Sequence, residues 1–205
     1  MPLFNNRPNL KKLMERQDVQ GLVKALGRVS QEARGEVIQI LADIRDPRAT
    51  EALMREAEST DVTIRSLAAQ ALQKVDPEHK YIAAVHLLSD VHRNVRTAAI
   101  SILAALGNPK GLDALIKTLD RDRDAQARAA AALAIGTLHD RRSLHPLIAA
   151  LQDKDERVRV AAAGALGALG DRTALDPLMR MHESDPDPEG RKAAETAIGK
   201  LQQAS

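Results

Sequence analysis

The chain has 205 residues, 44% of them hydrophobic, and a formal net charge of +2 built from 30 basic and 28 acidic side chains. One Phe, one Tyr, no Trp and no Cys exclude disulfides, thiolate metal sites and thiolate nucleophiles, and leave a core of Ala, Leu, Ile and Val. No apolar run approaches the ~20 residues needed to cross a bilayer. The near-balanced charge gives no bulk drive toward nucleic acid, and a cytoplasmic setting suits a chain without cysteine.

At the N-terminus, residues 1–4 read as a short apolar leader, 9–14 as a short helix, and 18–26 as a second helix without a partner before it. Residues 1–28 are therefore expected to cap an array that occupies 29–205, since terminal repeats need one face that meets water. Within 29–205 an arginine returns at intervals of 31 or 32 residues: Arg34, Arg65, Arg96, Arg128, Arg159 and Arg191. Self-similarity at that period is the mark of a stacked-repeat architecture, in which no unit buries its apolar faces alone.

Each arginine sits in the same local pattern. Three residues on come Val37, Ala68, Ala99, Ala131, Ala162 and Ala194, and seven on come Leu41, Leu72, Leu103, Ile135, Leu166 and Ile198. Spacings of three and four place these on one helical stripe. Eight residues on, Gly136, Gly167 and Gly199 recur although glycine costs a helix interior about 1 kcal/mol relative to alanine, so close approach of a neighbouring helix is expected there. Four residues before the arginine, Ser30, Asp61, His92, Asp124, Asp155 and Asp187 mark the helix starts. Gly107 and Gly170 signal helix ends. A turn then opens a second helix at Asp46, Asp76, Asn108, Asp140 and Asp171, with apolar faces such as Leu112, Leu115, Ile116 and Leu119. The last residues, 200–205, turn polar.

On these residues the sequence resembles the HEAT repeats, specifically the short bacterial and archaeal class that includes phycobilisome lyase subunits. The segment 157–171, Arg-Val-Arg-Val-Ala-Ala-Ala-Gly-Ala-Leu-Gly-Ala-Leu-Gly-Asp, lies very close to the pattern of that class, and the likeness covers about residues 18–202. It implies an all-α fold: a right-handed α-solenoid of stacked helix–turn–helix repeats of about 31 residues, with about five helical pairs and a final helix. It also implies a structural ladder in which Asp90, Asp122, Asp153 and Asp185 pair with the arginines six residues later, Arg96, Arg128, Arg159 and Arg191. Arg28 and Ser59 occupy the matching position ahead of Arg34 and Arg65, and neither fits the pattern.

No catalytic site is expected. Gly164, Gly167 and Gly170 fall at helical spacing and at a helix stop, not in a strand-to-helix phosphate loop. The six histidines form no close ligand pairs on a helix face, and His182-Glu183 alone stands against the several His-Glu pairs with which HEAT-like deoxyhypusine hydroxylases hold iron. We therefore expect no metal and no cofactor. HEAT-like glycosylases bind DNA with aromatic residues as well as charge, whereas Tyr81 is the lone aromatic in the array, which disfavours nucleic acid as a partner. In HEAT proteins the second helices line the concave side. There the acid-before-base pairs Glu51 and Arg55, Asp113 and Lys117, and Asp176 and Arg180 are expected to close at i, i+4. A basic centre made of Lys110, Lys117, Arg141, Arg142, His145, Arg172 and Arg180 would face an acidic peptide or protein loop. The expected function is thus a non-enzymatic protein–protein interaction scaffold with no membrane contact. A bilin-lyase subunit and a nucleic-acid-binding protein are the alternatives, and the sequence leaves the oligomeric state open.

Overall fold

The computed structural model describes residues 9–44, 46–74 and 77–203. The apolar leader at 1–4 and the helix start expected at Asp76 lie outside the described residues. Among those described there are thirteen α-helices and no strand. Two short helices, α1 (Leu10–Glu15) and α2 (Val19–Leu26), come first. Five helical pairs follow: α3 (Gln31–Ile44) with α4 (Pro47–Glu56), α5 (Val62–Ala71) with α6 (Pro77–Leu87), and α7 (Arg93–Leu106) with α8 (Leu112–Arg121). The last two pairs are α9 (Ala125–Leu138) with α10 (Leu144–Ala150), and α11 (Glu156–Leu169) with α12 (Leu175–Ser184), after which comes α13 (Pro188–Gln203). The architecture is an all-α solenoid of helix–turn–helix repeats.

The chain forms two compact units, Met1–Ile102 and Leu103–Ser205. In the N-terminal unit α1 packs on α2, α2 on α3 and α4, and α3 on α5. In the C-terminal unit α9, α11 and α13 stack side by side, while α8, α10 and α12 each pack on the first helix of the following repeat. The stripe residues Val37, Ala68, Ala131, Ala162 and Ala194 are fully buried, as are Leu41, Leu72, Ile135 and Leu166. Small side chains let the helices stack closely. A Cβ added at Gly136 would lie 2.9 Å from the Ala165 Cα, and one at Gly167 would lie 3.1 Å from the Ala197 Cα. These two glycines are where α9 meets α11 and α11 meets α13.

Helix starts follow from the caps. Asp61 accepts from the backbone N–H groups of Thr63 and Ile64, Asp124 from those of Gln126 and Ala127, and Asp155 from that of Arg157. Each such bond satisfies a donor that the first turn leaves without a helical partner. α11 stops at Gly170, which takes the left-handed conformation at φ +77°, open to glycine without strain. Asn108, Asp140 and Asp171 cap three-residue 3₁₀ turns, Pro109–Gly111, Arg141–Ser143 and Arg172–Ala174, that lead into α8, α10 and α12.

Candidate functional site: the inter-repeat ladder and the second-helix face

The repeating arginines from Arg65 onward are buried or half-buried and make two kinds of contact. Each reaches back six residues to a backbone carbonyl: Arg65 Nη1 donates to Ser59 O, Arg96 Nη1 to Asp90 O at 2.9 Å, and Arg128 Nη1 to Asp122 O at 2.8 Å. Arg159 and Arg191 do the same to Asp153 O at 3.0 Å and Asp185 O at 2.6 Å. The carboxylate of the turn aspartate goes elsewhere. Arg65 Nε donates to Asp90 at 2.6 Å, Arg128 donates through Nε and Nη2 to Asp153 at 2.7 Å each, and Arg159 through the same atoms to Asp185 at 2.7 and 2.9 Å.

This corrects the expected pairing within each turn. Asp122 and Asp153 accept from Arg128 and Arg159 through their main-chain carbonyls, and the side chain of Asp153 or Asp185 binds the arginine of the preceding repeat. The reason is local: the Asp153 side chain also accepts from the N–H of Asp155, and that of Asp185 from the N–H of Asp187, both at 2.9 Å. A carboxylate held in its own turn this way faces the repeat before it. Because the backward bond needs only a carbonyl, Ser59 supplies it as well as an aspartate does, so the ladder extends to Arg65. Arg34, with no turn aspartate ahead of it, takes Glu56 at 2.6 Å.

Protonation follows this geometry. Burial works against the charge on Asp90 and Asp153, but hydrogen bonds from Arg65 and Arg128 and from nearby backbone N–H groups hold both below the ordinary carboxylate range. The Arg159 guanidinium does the same for Asp185. Rungs of this type join neighbouring repeats at Asp90, Asp153 and Asp185.

The open surface lies on the second helices. By register, α8 presents Asp113, Ile116 and Lys117 outward, α10 presents His145, Ile148 and Ala149, and α12 presents Asp176, Met179 and Arg180. Ile116 and Ile148 are half-buried and Met179 is 49% exposed. The apolar faces expected on these helices thus put one member each at the surface. Between α8 and α10 lies a groove of ≈ 530 Å³ lined by Asp113, Ile116, Lys117, Pro146 and Ala149 among others.

Lys110, Arg141, Arg142, His145, Arg172 and Arg180 are all exposed on this side, as is Lys117. Arg142, however, is engaged. It donates to its own cap, Asp140, from Nη2 at 2.8 Å, and its Nη1 lies 3.6 Å from Asp113 of the preceding repeat. Arg48 and Arg157 hold their cap aspartates in the same way, and the Arg157 guanidinium draws Asp155 down to about 2. Arg141 lies near enough to Asp171 to favour its charged form, although the Thr173 hydroxyl is the main cause there. The expected pairs Glu51–Arg55, Asp113–Lys117 and Asp176–Arg180 are not closed among the described residues, so Lys117 and Arg180 keep their donors for another partner. The sequence reading missed the apolar row, because Ile116, Ile148 and Met179 carry the same signal as core residues.

Among the described residues no group of His, Asp or Glu could hold a metal ion, and no helix is long and apolar enough to cross a membrane. The sequence matches the family model of HEAT repeats over residues 19–104, 83–136 and 112–199. Among solved structures, the chain is similar to YibA of Escherichia coli (TM-score 0.67, 23% identity, 94% of this chain and 70% of that one). It is also similar to the CpcE–CpcF complex of phycocyanin lyase from Nostoc sp. PCC7120 (TM-score 0.59, 26% identity, 74% of this chain and 99% of that one). A third likeness is to a designed armadillo repeat protein solved with the peptide (KR)4 (TM-score 0.57, 21% identity, 96% and 100%). No curated protein matches the sequence.

Proposed function

The chain belongs to the HEAT-repeat family, and on that footing we propose that it is a protein-interaction scaffold. The second-helix face of its C-terminal unit would hold an apolar, acidic segment of a partner protein. One observation carries this reading: the row Ile116, Ile148 and Met179 stays on the surface between cations that no carboxylate among the described residues neutralises by direct contact, Lys117, Arg141, Arg172 and Arg180. Apolar side chains of a bound segment would bury against the row, and its carboxylates would meet the cations. The Nostoc lyase complex and the peptide-bound designed protein support a binding role for surfaces of this kind. In the same reading, α1 and α2 cap the array that begins at residue 29.

The likeness to phycocyanin lyase favours a second reading, a subunit of a bilin-attaching enzyme. Tyr81 is the lone aromatic among the described residues, which gives a bilin little to stack on.

A peptide-display selection followed by mutation tests the scaffold reading. Enriched peptides should combine Leu or Ile with Asp or Glu, and binding should weaken as the Debye length falls from about 10 Å at 0.1 M salt to about 3 Å at 1 M. Arg141→Glu with Arg172→Glu should weaken binding by about tenfold or more at an unchanged melting temperature. Arg142 is left intact because it holds the cap of its own repeat. Enrichment of basic peptides, or full binding by the double variant, would refute the proposal.

A further inference from the structure

The outer face of the first helices differs between repeats at fixed registers. In the N-terminal unit Lys74 pairs with Asp43 of the preceding repeat, and Gln31 hydrogen-bonds Asp61. Lys200 occupies the register of Lys74, nine residues after its repeat arginine, yet the register of Asp43 in the preceding repeat holds Ala168. Lys200 and Lys192 are exposed, and neither ammonium group makes a hydrogen bond or ion pair among the described residues. The stem of Lys200 lies along α11, its Cδ 3.4 Å from a Cβ added at Gly167.

Beside these lysines runs an apolar groove of ≈ 530 Å³ between α11 and α13. Its floor includes Val160, Ala161, Gly164 and Ala193, and Leu133 of α9 stands at its edge, 57% exposed. Gly164 has a different status from Gly136 and Gly167. An added Cβ there meets nothing within 4 Å, so no helix of this chain requires the glycine, although glycine weakens a helix interior relative to alanine. What it preserves is a flat floor open to approach from outside.

We propose that this groove is a second interaction surface, distinct from the second-helix face. Its occupant is an amphipathic α-helix of a partner protein that lays small apolar residues over Gly164. The flank of that helix toward α13 carries carboxylates for Lys192 and Lys200, supplying from outside the acid that Asp43 supplies to Lys74. A second copy of this chain is the poorer match: across a two-fold contact the one acid lining the groove, Glu189, would arrive together with the cations Arg157, Lys192 and Lys200.

Three synthetic helical peptides that share one Ala/Leu face and differ only in a flank of Glu, Lys or Ser are the probe. The Glu peptide should bind, shifting the amide resonances of Leu133, Val160, Gly164 and Thr196, and the Lys peptide should bind about tenfold more weakly. Gly164→Gln should abolish binding without lowering the melting temperature, because the position is open and glutamine is the better helix former. Lys192→Glu with Lys200→Glu should reverse the preference. Failure of all three peptides to bind, equal binding of the Glu and Lys peptides, or full binding by Gly164→Gln would each overturn the proposal. So would a concentration-dependent dimer in sedimentation that Gly164→Gln dissolves.

Discussion

The rungs of the N-terminal unit and those of the C-terminal unit solve one problem with different chemistry. In the C-terminal unit each turn reads Asp-x-Asp, as in Asp153-Lys-Asp155 and Asp185-Pro-Asp187. The first carboxylate receives a two-point grip from the preceding arginine, and Asp187 adds a third contact to Arg159 at 2.6 Å. In the N-terminal unit the turns read Ser59-Thr-Asp61 and Asp90-Val-His92. Ser59 still caps its turn, its hydroxyl accepting from the Asp61 N–H, but it has no charge to offer, so Arg34 finds Glu56 through a single atom. His92 stands where Asp187 does, and its Nδ1 lies 2.7 Å from Arg65 Nη2 and 3.4 Å from Asp90 Oδ1. The backward hydrogen bond to the main chain is indifferent to sequence, whereas the forward ion pair depends on which acid the next turn carries.

That contrast predicts unequal costs. Arg159 and Asp185 have side chains 8% and 2% exposed, while Arg34 is 33% exposed at its rung. Asp185→Ala leaves a buried guanidinium short of its main partner and should destabilise the protein by about 3 kcal/mol in chemical denaturation. Glu56→Ala, which breaks a partly solvated pair, should cost about 1 kcal/mol. Equal losses would mean that the two rung types are energetically alike.

A smaller contrast separates the glycines within the C-terminal unit. Gly136→Ala would press a methyl group against the Ala165 backbone and should cost about 1 kcal/mol even after the gain in helix propensity. Gly164→Ala meets open space and should stabilise by up to about 1 kcal/mol. Thermal melts of the two variants, expected to move in opposite directions, check this.

Much of the scaffold was legible because the signals are local and repeated. The arginine period, the alanine stripe, the aspartate caps and the close approach at Gly136 and Gly167 all follow from spacing, whereas the same spacing predicts a close approach at Gly199, where an added Cβ meets nothing within 4 Å. The ladder partner was not legible, because Asp122 precedes Arg128 by six residues in a turn, a separation that brings either its carbonyl or its carboxylate within reach. Only the hydrogen bond that holds Asp153 in its own turn shows that the carboxylate faces the repeat before. The candidate binding face was half legible. Its cations stood out by charge, but Arg142 is spent on Asp140 two residues away, a pairing that spacing within a helix forbids and an N-cap aspartate outside the helix permits. The apolar row failed for another reason: a half-exposed Ile148 and a core Leu147 are adjacent and alike in sequence, and only the packing of α10 on α11 tells them apart.

The turn carboxylates of Asp90, Asp153 and Asp185 clamp the arginine of the preceding repeat. Two double-mutant cycles in denaturant test this clamp most directly, one pairing Arg128→Ala with Asp153→Ala, the other pairing Arg128→Ala with Asp122→Ala. The clamp predicts a coupling of about 2 kcal/mol in the first cycle and a value within about 0.5 kcal/mol of zero in the second, since Asp122→Ala keeps the carbonyl that Arg128 uses. Strong coupling to Asp122 and none to Asp153 would contradict it.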